Sequence, residues 1–185
     1  MTTILPIDEI NRFKEELPIH YEDGRVRSKE DERDIYEELE DLFLYALAKG
    51  MDGANSDLGK DIQLSIEEVE DILYQPVAGK VWTERVKDYF AGGGTEADIS
   101  RIAETEAHRI ANEAAYDTAR KGGATTKTWN CMMLESSRDT HQFLNGVTAP
   151  MDGYFYTFMG NSTLYPGEFG VPEEDCNCLC WLTYS

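Results

Sequence analysis

The sequence predicts an α+β fold in which a helical N-terminal two thirds packs on a small antiparallel C-terminal sheet. Before Gly123, apolar residues recur every three or four positions, as they do on one face of a helix. After Gly123, apolar and polar residues alternate, as they do in half-buried strands. The chain has 185 residues, of which 41% are hydrophobic, and this is enough to form the core of one domain, or of one domain with an appended lobe.

The N-terminal part is predicted to contain an arm and a first long helix. Residues 1–27 combine two prolines and many charges with few apolar anchors, which indicates a loosely held arm with His20 facing solvent. The helix is predicted to begin at the N-cap Ser28 and to end at Gly50, with a loop over residues 51–61. The apolar positions of this helix are Ile35, Leu39, Leu42, Phe43, Ala46 and Leu47.

More helices are predicted further along. Ser65 and Glu68 have the spacing of a capping box, and the helix they begin stops before Pro76. The segment VAGKVWTERVKDYF has apolar residues at helical spacing and indicates another helix. The strongest helical pattern is TEADISRIAETEAHRIANEAAYDTARKGG, which is predicted to begin at the cap Thr95 and to end at Gly122.

The C-terminal third is predicted to form three or four short strands. The segment TTKTWNCMML alternates in polarity, GYFYTFMG is short and aromatic, and CNCLCWLTY is apolar. Between the first two lies ESSRDTHQFLNG, which is interpreted as a polar turn that ends in a tight reversal at Asn145 and Gly146. Gly and Pro punctuate LYPGEFGVPEED, which predicts a loop before the last strand.

Charge divides the chain into an acidic N-terminal arm with helices (residues 1–75) and a less acidic domain (residues 76–185). The first part carries 21 acidic and 8 basic side chains, the second 15 and 9, and the formal net charge is −19. So negative a surface repels phosphate backbones, which argues against direct, sequence-specific nucleic-acid binding. No apolar run follows the start MTTILPIDEINRFKEELP, so neither a signal peptide nor a membrane segment is expected, and the cysteines are expected to be reduced.

The long helix carries a carboxylate at an unexpected place. Glu106 falls within the apolar face of this helix, where an unpaired charge is costly. One interpretation is that Glu106 lies at the edge of that face and pairs with Arg109 or Arg120. The other is a polar cluster that clamps the C-terminal sheet onto the helix. Its members would be Thr105, Glu106, Arg109 and Asn112 on the helix, and Arg138, Asp139 and His141 in the polar turn. His108, beside this stripe, is expected to be exposed or to act as a cap.

Three cysteines, Cys176, Cys178 and Cys180, follow one another at a spacing of two residues. On a flat strand their Cα atoms would be about 7 Å apart, which is unfavourable for sharing a metal unless the chain turns. The first interpretation is that Cys178 and Cys180 are small buried apolar residues that lock the last strand under the long helix, near His141 and Glu106. The alternatives are a zinc ion held by His141, Cys176 and Cys178, and a thiol nucleophile at Cys178 with His141 as its base.

The order of motifs resembles that of a known family. The motifs are RIAETEAHRIANEAA on a helix, a Trp-bearing strand, SRDTHQFLNG, YPGEFG and finally NCLC. Over about residues 76–185 the chain is similar to the C-terminal domain of the Mu F-like phage head morphogenesis proteins, also called minor head or minor capsid proteins. The matching positions are Thr105, Glu106, Arg109, Asn112, Arg138, Asp139, His141, Gly146, Tyr165, Pro166, Gly167, Asn177, Cys178 and Cys180. Leu179 stands where the family usually has Arg, and Cys176 is additional.

The resemblance implies a structural protein of the virion, without catalysis and without a required cofactor. Its partner would be the portal or the major capsid protein, at the portal vertex or in the capsid interior, with assembly in the host cytoplasm. Its role would be head assembly or DNA delivery. Two alternatives remain open. One is a small metal- or thiol-dependent enzyme centred on His141 and Cys178, and the other is an acidic protein that binds a basic host surface through residues 1–75.

Overall fold

The structure, a computed structural model, describes residues 4–185 and confirms the α+β class. Its helices are α1 (Ile7–Glu16), α2 (Lys29–Leu58), α3 (Ile66–Leu73), α4 (Trp82–Gly92), α5 (Glu96–Lys121), α6 (Asp139–Leu144) and α7 (Pro172–Asp175). Its strands are β1 (Tyr21–Glu22), β2 (Arg25–Val26), β3 (Thr126–Cys131), β4 (Thr148–Pro150), β5 (Phe155–Tyr156), β6 (Ser162–Thr163) and β7 (Cys180–Tyr184). A short 3-10 helix, Leu17–His20, joins α1 to β1.

The long helices α2 and α5 pack closely against each other. A Cβ atom placed on Gly50 of α2 would lie 2.1 Å from the carbonyl oxygen of Ala111 on α5, so only glycine fits there. The predicted helix end at Gly50 is wrong, and so is the predicted loop over residues 51–58, although residues 59–61 do form a loop. The helix continues to Leu58 and ends at Gly59, which has the left-handed conformation (φ 60°) of a C-terminal cap. Glycine at position 50 permits close approach of two helices rather than ending one.

The predicted loose arm is also wrong for residues 4–27, while residues 1–3 lie outside the described residues. Phe13 of α1 and Leu17 are buried in the same core as α2 and α5. His20 is buried rather than solvent-exposed. Its ring nitrogens lie 3.1 Å from a carboxylate oxygen of Asp31 and 3.2 Å from one of Glu38. A few well-spaced apolar residues are enough to anchor this segment to the core, although most of its residues are charged or polar.

The predicted helix starts are confirmed where capping chemistry is present. Ser28 caps α2 by accepting a hydrogen bond from the backbone N–H of Asp31. Ser65 and Glu68 form the reciprocal capping box at the start of α3. Thr95 precedes α5, and Gly122 follows its last residue. These local signals fix where helices begin, independently of how the helices later pack.

The main sheet has the strand order β4-β3-β7 and is antiparallel throughout. Trp129 lies opposite Leu182, both fully buried, and Cys131 lies opposite Cys180. This sheet packs with Ala115, Tyr116 and Ala119 of α5 in a second hydrophobic cluster. The edge strand β4 is three residues long and ends at Pro150.

Two predictions for the C-terminal third need correction. The predicted polar turn over residues 135–146 contains the short helix α6, which buries His141 and Leu144. The last strand begins at Cys180 and not at Cys176, because α7 and a turn at Asn177 (φ 55°) precede it. That turn gives the backbone a change of direction between Cys176 and Cys178 that a flat strand lacks.

The main helical core crosses the boundary predicted at residue 75. Ile35 and Phe43 of α2 share one hydrophobic cluster with Ile99 and Ile110 of α5. The division of the chain into residues 1–75 and 76–185 itself stays a prediction. Within residues 4–185, none of the helices combines the length and the apolarity that crossing a bilayer requires.

Candidate functional site: two buried polar clusters

The long helix α5 presents its polar residues to different neighbours. Glu106 is only 1% exposed, and its two carboxylate oxygens lie 2.6 Å from the Arg85 guanidinium of α4 and 3.1 Å from Nε of Arg109. We call Glu106, Arg85 and Arg109 the ion network. One carboxylate between two guanidinium groups is well paired, so burial of this charge is compatible with a stable fold.

Arg109 extends the ion network to the preceding helices. Its Nη1 donates a hydrogen bond to the side-chain oxygen of Gln75 at 2.7 Å, and its Nη2 donates to the carbonyl oxygen of Ile72 at 3.0 Å. It also pairs with Glu113 one turn along α5. Burial raises the pKa of Glu113 to about 7, although the positive charge of Arg109 opposes this shift. The Arg109 guanidinium thereby fastens α3 to α5, while the pair between Arg85 and Glu106 fastens α4 to α5.

Asn112 and the loop at Gly167 connect α5 to the C-terminal part. The side-chain amide of Asn112 donates hydrogen bonds of 3.0 Å to the carbonyl oxygens of Cys180 on β7 and of His108. Gly167 has φ 93°, and a Cβ atom on it would lie 3.2 Å from the Cα of Arg109. The Tyr-Pro-Gly loop therefore needs glycine both for its backbone conformation and for its close approach to the helix.

A second buried cluster consists of His141 on α6, Cys178 in the turn before β7, and Cys180 on β7, which we call the thiol–imidazole cluster. Nδ1 of His141 lies 3.4 Å from the sulfur of Cys178 and 3.5 Å from that of Cys180. All three side chains are at most 2% exposed. Their ligand-type atoms all lie within 4.8 Å of one another.

The other ring nitrogen of His141 faces a carboxylate. Nε2 lies 3.1 Å from Oε2 of Glu174 on α7, a residue that is 4% exposed. Oε2 also accepts a hydrogen bond of 2.8 Å from the hydroxyl of Thr140, and Oε1 accepts one of 3.1 Å from the side-chain amide of Asn161. These bonds hold the carboxylate of Glu174 in place beside Nε2 of His141.

The thiols influence one another. Hydrogen bonding from the Cys180 thiol, with a further contribution from His141, lowers the pKa of the Cys178 thiol. The pKa of Cys180 is raised because both Cys131 and Cys178 compete with its own thiolate. Hydrogen bonding from the Cys180 thiol also lowers the pKa of Cys131 on β3 to about 6. The cluster can therefore supply thiolate, the form of cysteine that binds metals and attacks electrophiles.

The structure divides the single polar cluster predicted from the sequence. Six residues separate Glu106 from Asn112, which turns the helix by about 600° and leaves the two side chains about 120° apart. Glu106 and Arg109 contact the helices α3 and α4, while Asn112 contacts β7, so a common contact with the turn around His141 does not form.

The remaining predicted site residues take separate positions. Arg138 donates a hydrogen bond to the carbonyl oxygen of Cys176. Asp139 is exposed at the start of α6, and the hydroxyl of Thr105 has no hydrogen-bond partner among residues 4–185. His108, expected to be exposed or a cap, is instead 4% exposed, and burial lowers its pKa to about 4.

The predicted ligand set His141, Cys176 and Cys178 also changes. Cys176 is half-buried and stands outside the thiol–imidazole cluster, whose third member is Cys180. Sequence reasoning missed Arg85 and Glu174 because neither residue carries a recognisable motif and each meets its partner only through tertiary packing. Glu174 lies four residues before Cys178, but fourteen other acidic residues in 76–185 give it no distinguishing feature in the sequence.

Comparison with known proteins agrees with the motif order. The profile of the family described as "Phage Mu protein F like protein" matches residues 55–183. A relative, minor head protein GP7 of Bacillus phage SPP1, is 32% identical over 85 residues, which are 44% of this chain and 28% of the relative. No solved structure matches. Because the family profile covers more than half of the chain, this protein belongs to the phage Mu protein F-like family of minor head proteins.

Proposed function

We propose that this minor head protein binds the portal or the major capsid protein through an exposed aromatic surface, at the portal vertex or in the capsid interior, and that it acts without catalysis during head assembly or DNA delivery. The observation that carries the proposal is a set of large apolar side chains on the C-terminal part that remain in contact with solvent. We call it the aromatic face, and its members are Phe143, Tyr154, Tyr156, Phe158 and Met159.

The aromatic face is built by strict alternation around β5. Phe155 and Thr157 are 1% and 5% exposed, whereas Tyr154, Tyr156 and Phe158 are 50%, 64% and 57% exposed. The chain therefore directs its aromatic rings away from the core at every second residue.

Two ring contacts join members of the aromatic face in pairs. The rings of Phe143 on α6 and Phe158 meet edge to face, with centroids 5.8 Å apart, and the rings of Tyr154 and Tyr156 lie 6.5 Å apart. Single exposed apolar residues are common, but several exposed aromatic rings within one short segment are typical of a protein–protein contact surface.

Other features support binding over catalysis and over nucleic-acid recognition. Cys178 and His141, the residues of the alternative enzyme hypothesis, are both 2% exposed, so a substrate has no direct approach to the thiol. The formal net charge of −19 opposes direct contact with packaged DNA. An acidic protein that carries an apolar contact surface can attach to a head protein without adhering along the genome.

The proposal is tested with the double substitution Tyr156→Ser and Phe158→Ser in phage-infected cells. We expect the variant to fold and to be absent from purified proheads and heads, whereas the wild-type protein co-purifies with them. Binding to purified portal protein and to purified major capsid protein, measured separately, then identifies which of the two is the partner.

A matched control removes exposed apolar side chains elsewhere. Tyr45 on α2 and Ile66 on α3 are 42% and 79% exposed and lie outside the aromatic face. The double variant Tyr45→Ser and Ile66→Ser should enter heads as the wild type does. Incorporation of the aromatic-face variant at the wild-type level, or equal loss in the control, would contradict the proposed role of this surface.

A further inference from the structure

The thiol–imidazole cluster has the dimensions of a metal site. In tetrahedral zinc sites the metal lies about 2.3 Å from sulfur and about 2.0–2.1 Å from a histidine nitrogen, which places sulfur and nitrogen ligands about 3.5 Å from each other. The two observed distances from Nδ1 of His141, 3.4 Å to Cys178 and 3.5 Å to Cys180, agree with this ligand–ligand separation.

Hydrogen bonding alone accounts poorly for this arrangement. Nδ1 of a neutral imidazole has either one lone pair or one proton, so it makes one strong hydrogen bond, yet both sulfurs lie within 3.5 Å of it. A metal ion bound by all three atoms would use the same lone pair and explain both distances.

Glu174 sets the histidine in the form that binds metals. Its carboxylate lies 3.1 Å from Nε2 of His141, which favours a proton on Nε2 and leaves the lone pair of Nδ1 directed at the sulfurs. Metal-binding histidines commonly have a carboxylate at the nitrogen that does not bind the metal. Thr140 and Asn161 hold this carboxylate, so the supporting contacts of a metal site are already in place.

We propose that His141, Cys178 and Cys180 bind a zinc ion, with Cys131 as the fourth ligand. Cys131 is buried and lies directly opposite Cys180 in the β3–β7 ladder. Among the described residues its sulfur is not one of the atoms that lie within 4.8 Å of one another, so binding the ion would require its side chain to rotate towards Cys180. Sulfur and imidazole ligands in a closed, buried site select zinc over magnesium or calcium.

The zinc ion would join the two short helices of the C-terminal part to the β3–β7 strand pair. Its ligands come from β3, α6, the turn after α7 and β7, which together form most of the C-terminal part. The short helices α6 and α7, of six and four residues, are too short to be stable alone, so a common metal ion would hold them against the sheet. The metal would have a structural role and would leave the aromatic face free.

The test measures the metal content of the full chain purified from cells grown with added zinc. We expect about one zinc per chain by elemental analysis, and tetrahedral thiolate bands in the absorption spectrum when cobalt(II) replaces zinc. Removal of the metal should lower the melting temperature. A folded wild-type chain that contains no zinc and gives no cobalt thiolate bands would overturn the proposal.

Single cysteine variants locate the ligands. Cys178→Ser and Cys180→Ser should lose the zinc, whereas Cys176→Ser, which removes the neighbouring thiol outside the cluster, should keep it. Cys131→Ser should weaken binding and change the cobalt bands. Retention of zinc by Cys180→Ser together with its loss from Cys176→Ser would refute this ligand set. If a variant fails to fold, X-ray absorption of the wild-type zinc protein decides instead, since it must show three sulfurs and one nitrogen.

Discussion

The ion network and the thiol–imidazole cluster are both buried against the same helical scaffold, but they use different chemistry. In the ion network two guanidinium groups meet the carboxylate of Glu106, so opposite charges are already paired. In the thiol–imidazole cluster the sulfurs of Cys178 and Cys180 converge on one nitrogen of His141, and each of these atoms is an electron donor. In the ion network, therefore, the buried polar groups neutralise one another and join helices. In the thiol–imidazole cluster the buried groups are all electron donors, which is the arrangement on which the zinc proposal rests.

The largest expected effect is in the ion network. Glu106→Ala leaves Arg85 and Arg109 without their shared carboxylate, and a buried charge that loses its partner costs about 3–5 kcal/mol of unfolding free energy. Urea denaturation measures this loss. The control is Glu104→Ala on the same helix, whose 3.4 Å contact with Lys14 is partly exposed and is worth less than about 1 kcal/mol. Equal losses in the two variants would show that burial does not distinguish the ion network from a surface pair.

A smaller effect is expected where α2 and α5 touch. Gly50→Ala would place a methyl group against the backbone of Ala111, and the helices must separate at a cost of about 2 kcal/mol, even though alanine favours helices. Gly92→Ala, also at a helical position but with open space around it, should leave the unfolding free energy unchanged or raise it by up to about 1 kcal/mol. A neutral Gly50→Ala would mean that the scaffold under both clusters is looser than its geometry indicates.

The smallest effect concerns the link between the two regions. Asn112→Ala removes the hydrogen bond to the carbonyl oxygen of Cys180 and should cost about 1 kcal/mol. Amide hydrogen exchange should accelerate in β7 more than in α3 or α4. Equal acceleration in all of these elements would indicate that the two regions open as one unit and would weaken the comparison between them.

The sequence predicts those parts of the fold that are governed by local rules. Ser28 and Ser65 mark helix starts because their side chains accept hydrogen bonds from backbone N–H groups within one turn, whatever surrounds them. Thr95 marks one because its backbone N–H and its hydroxyl both donate to the carboxylate of Asp98. Gly50 is misread because its role depends on tertiary packing and not on a local rule. Glycine can either end a helix or let two helices approach closely, and only the position of Ala111 shows that Gly50 has the second role.

The site was harder to predict than the fold. The sequence indicated His141 and Cys178 as a candidate pair, and in the structure Nδ1 of His141 lies 3.4 Å from the sulfur of Cys178. The sequence does not show that the third member of the thiol–imidazole cluster is Cys180 and not Cys176. The backbone turns at Asn177 before Cys178, and a positive φ at a non-glycine residue has no reliable sequence signal. Arg85 and Glu174 depend on contacts between distant segments, which periodicity does not encode.

The short edge strand β4 has a consequence for how copies of this protein behave when they are crowded together. Three residues ending in Pro150, which lacks a backbone N–H, give a neighbouring chain little opportunity to add a strand to the sheet. Addition of a strand at the β4 edge of the sheet is thus disfavoured at high local concentration. At this edge, contacts with other molecules depend on side chains, so shape rather than backbone pairing determines which partner binds.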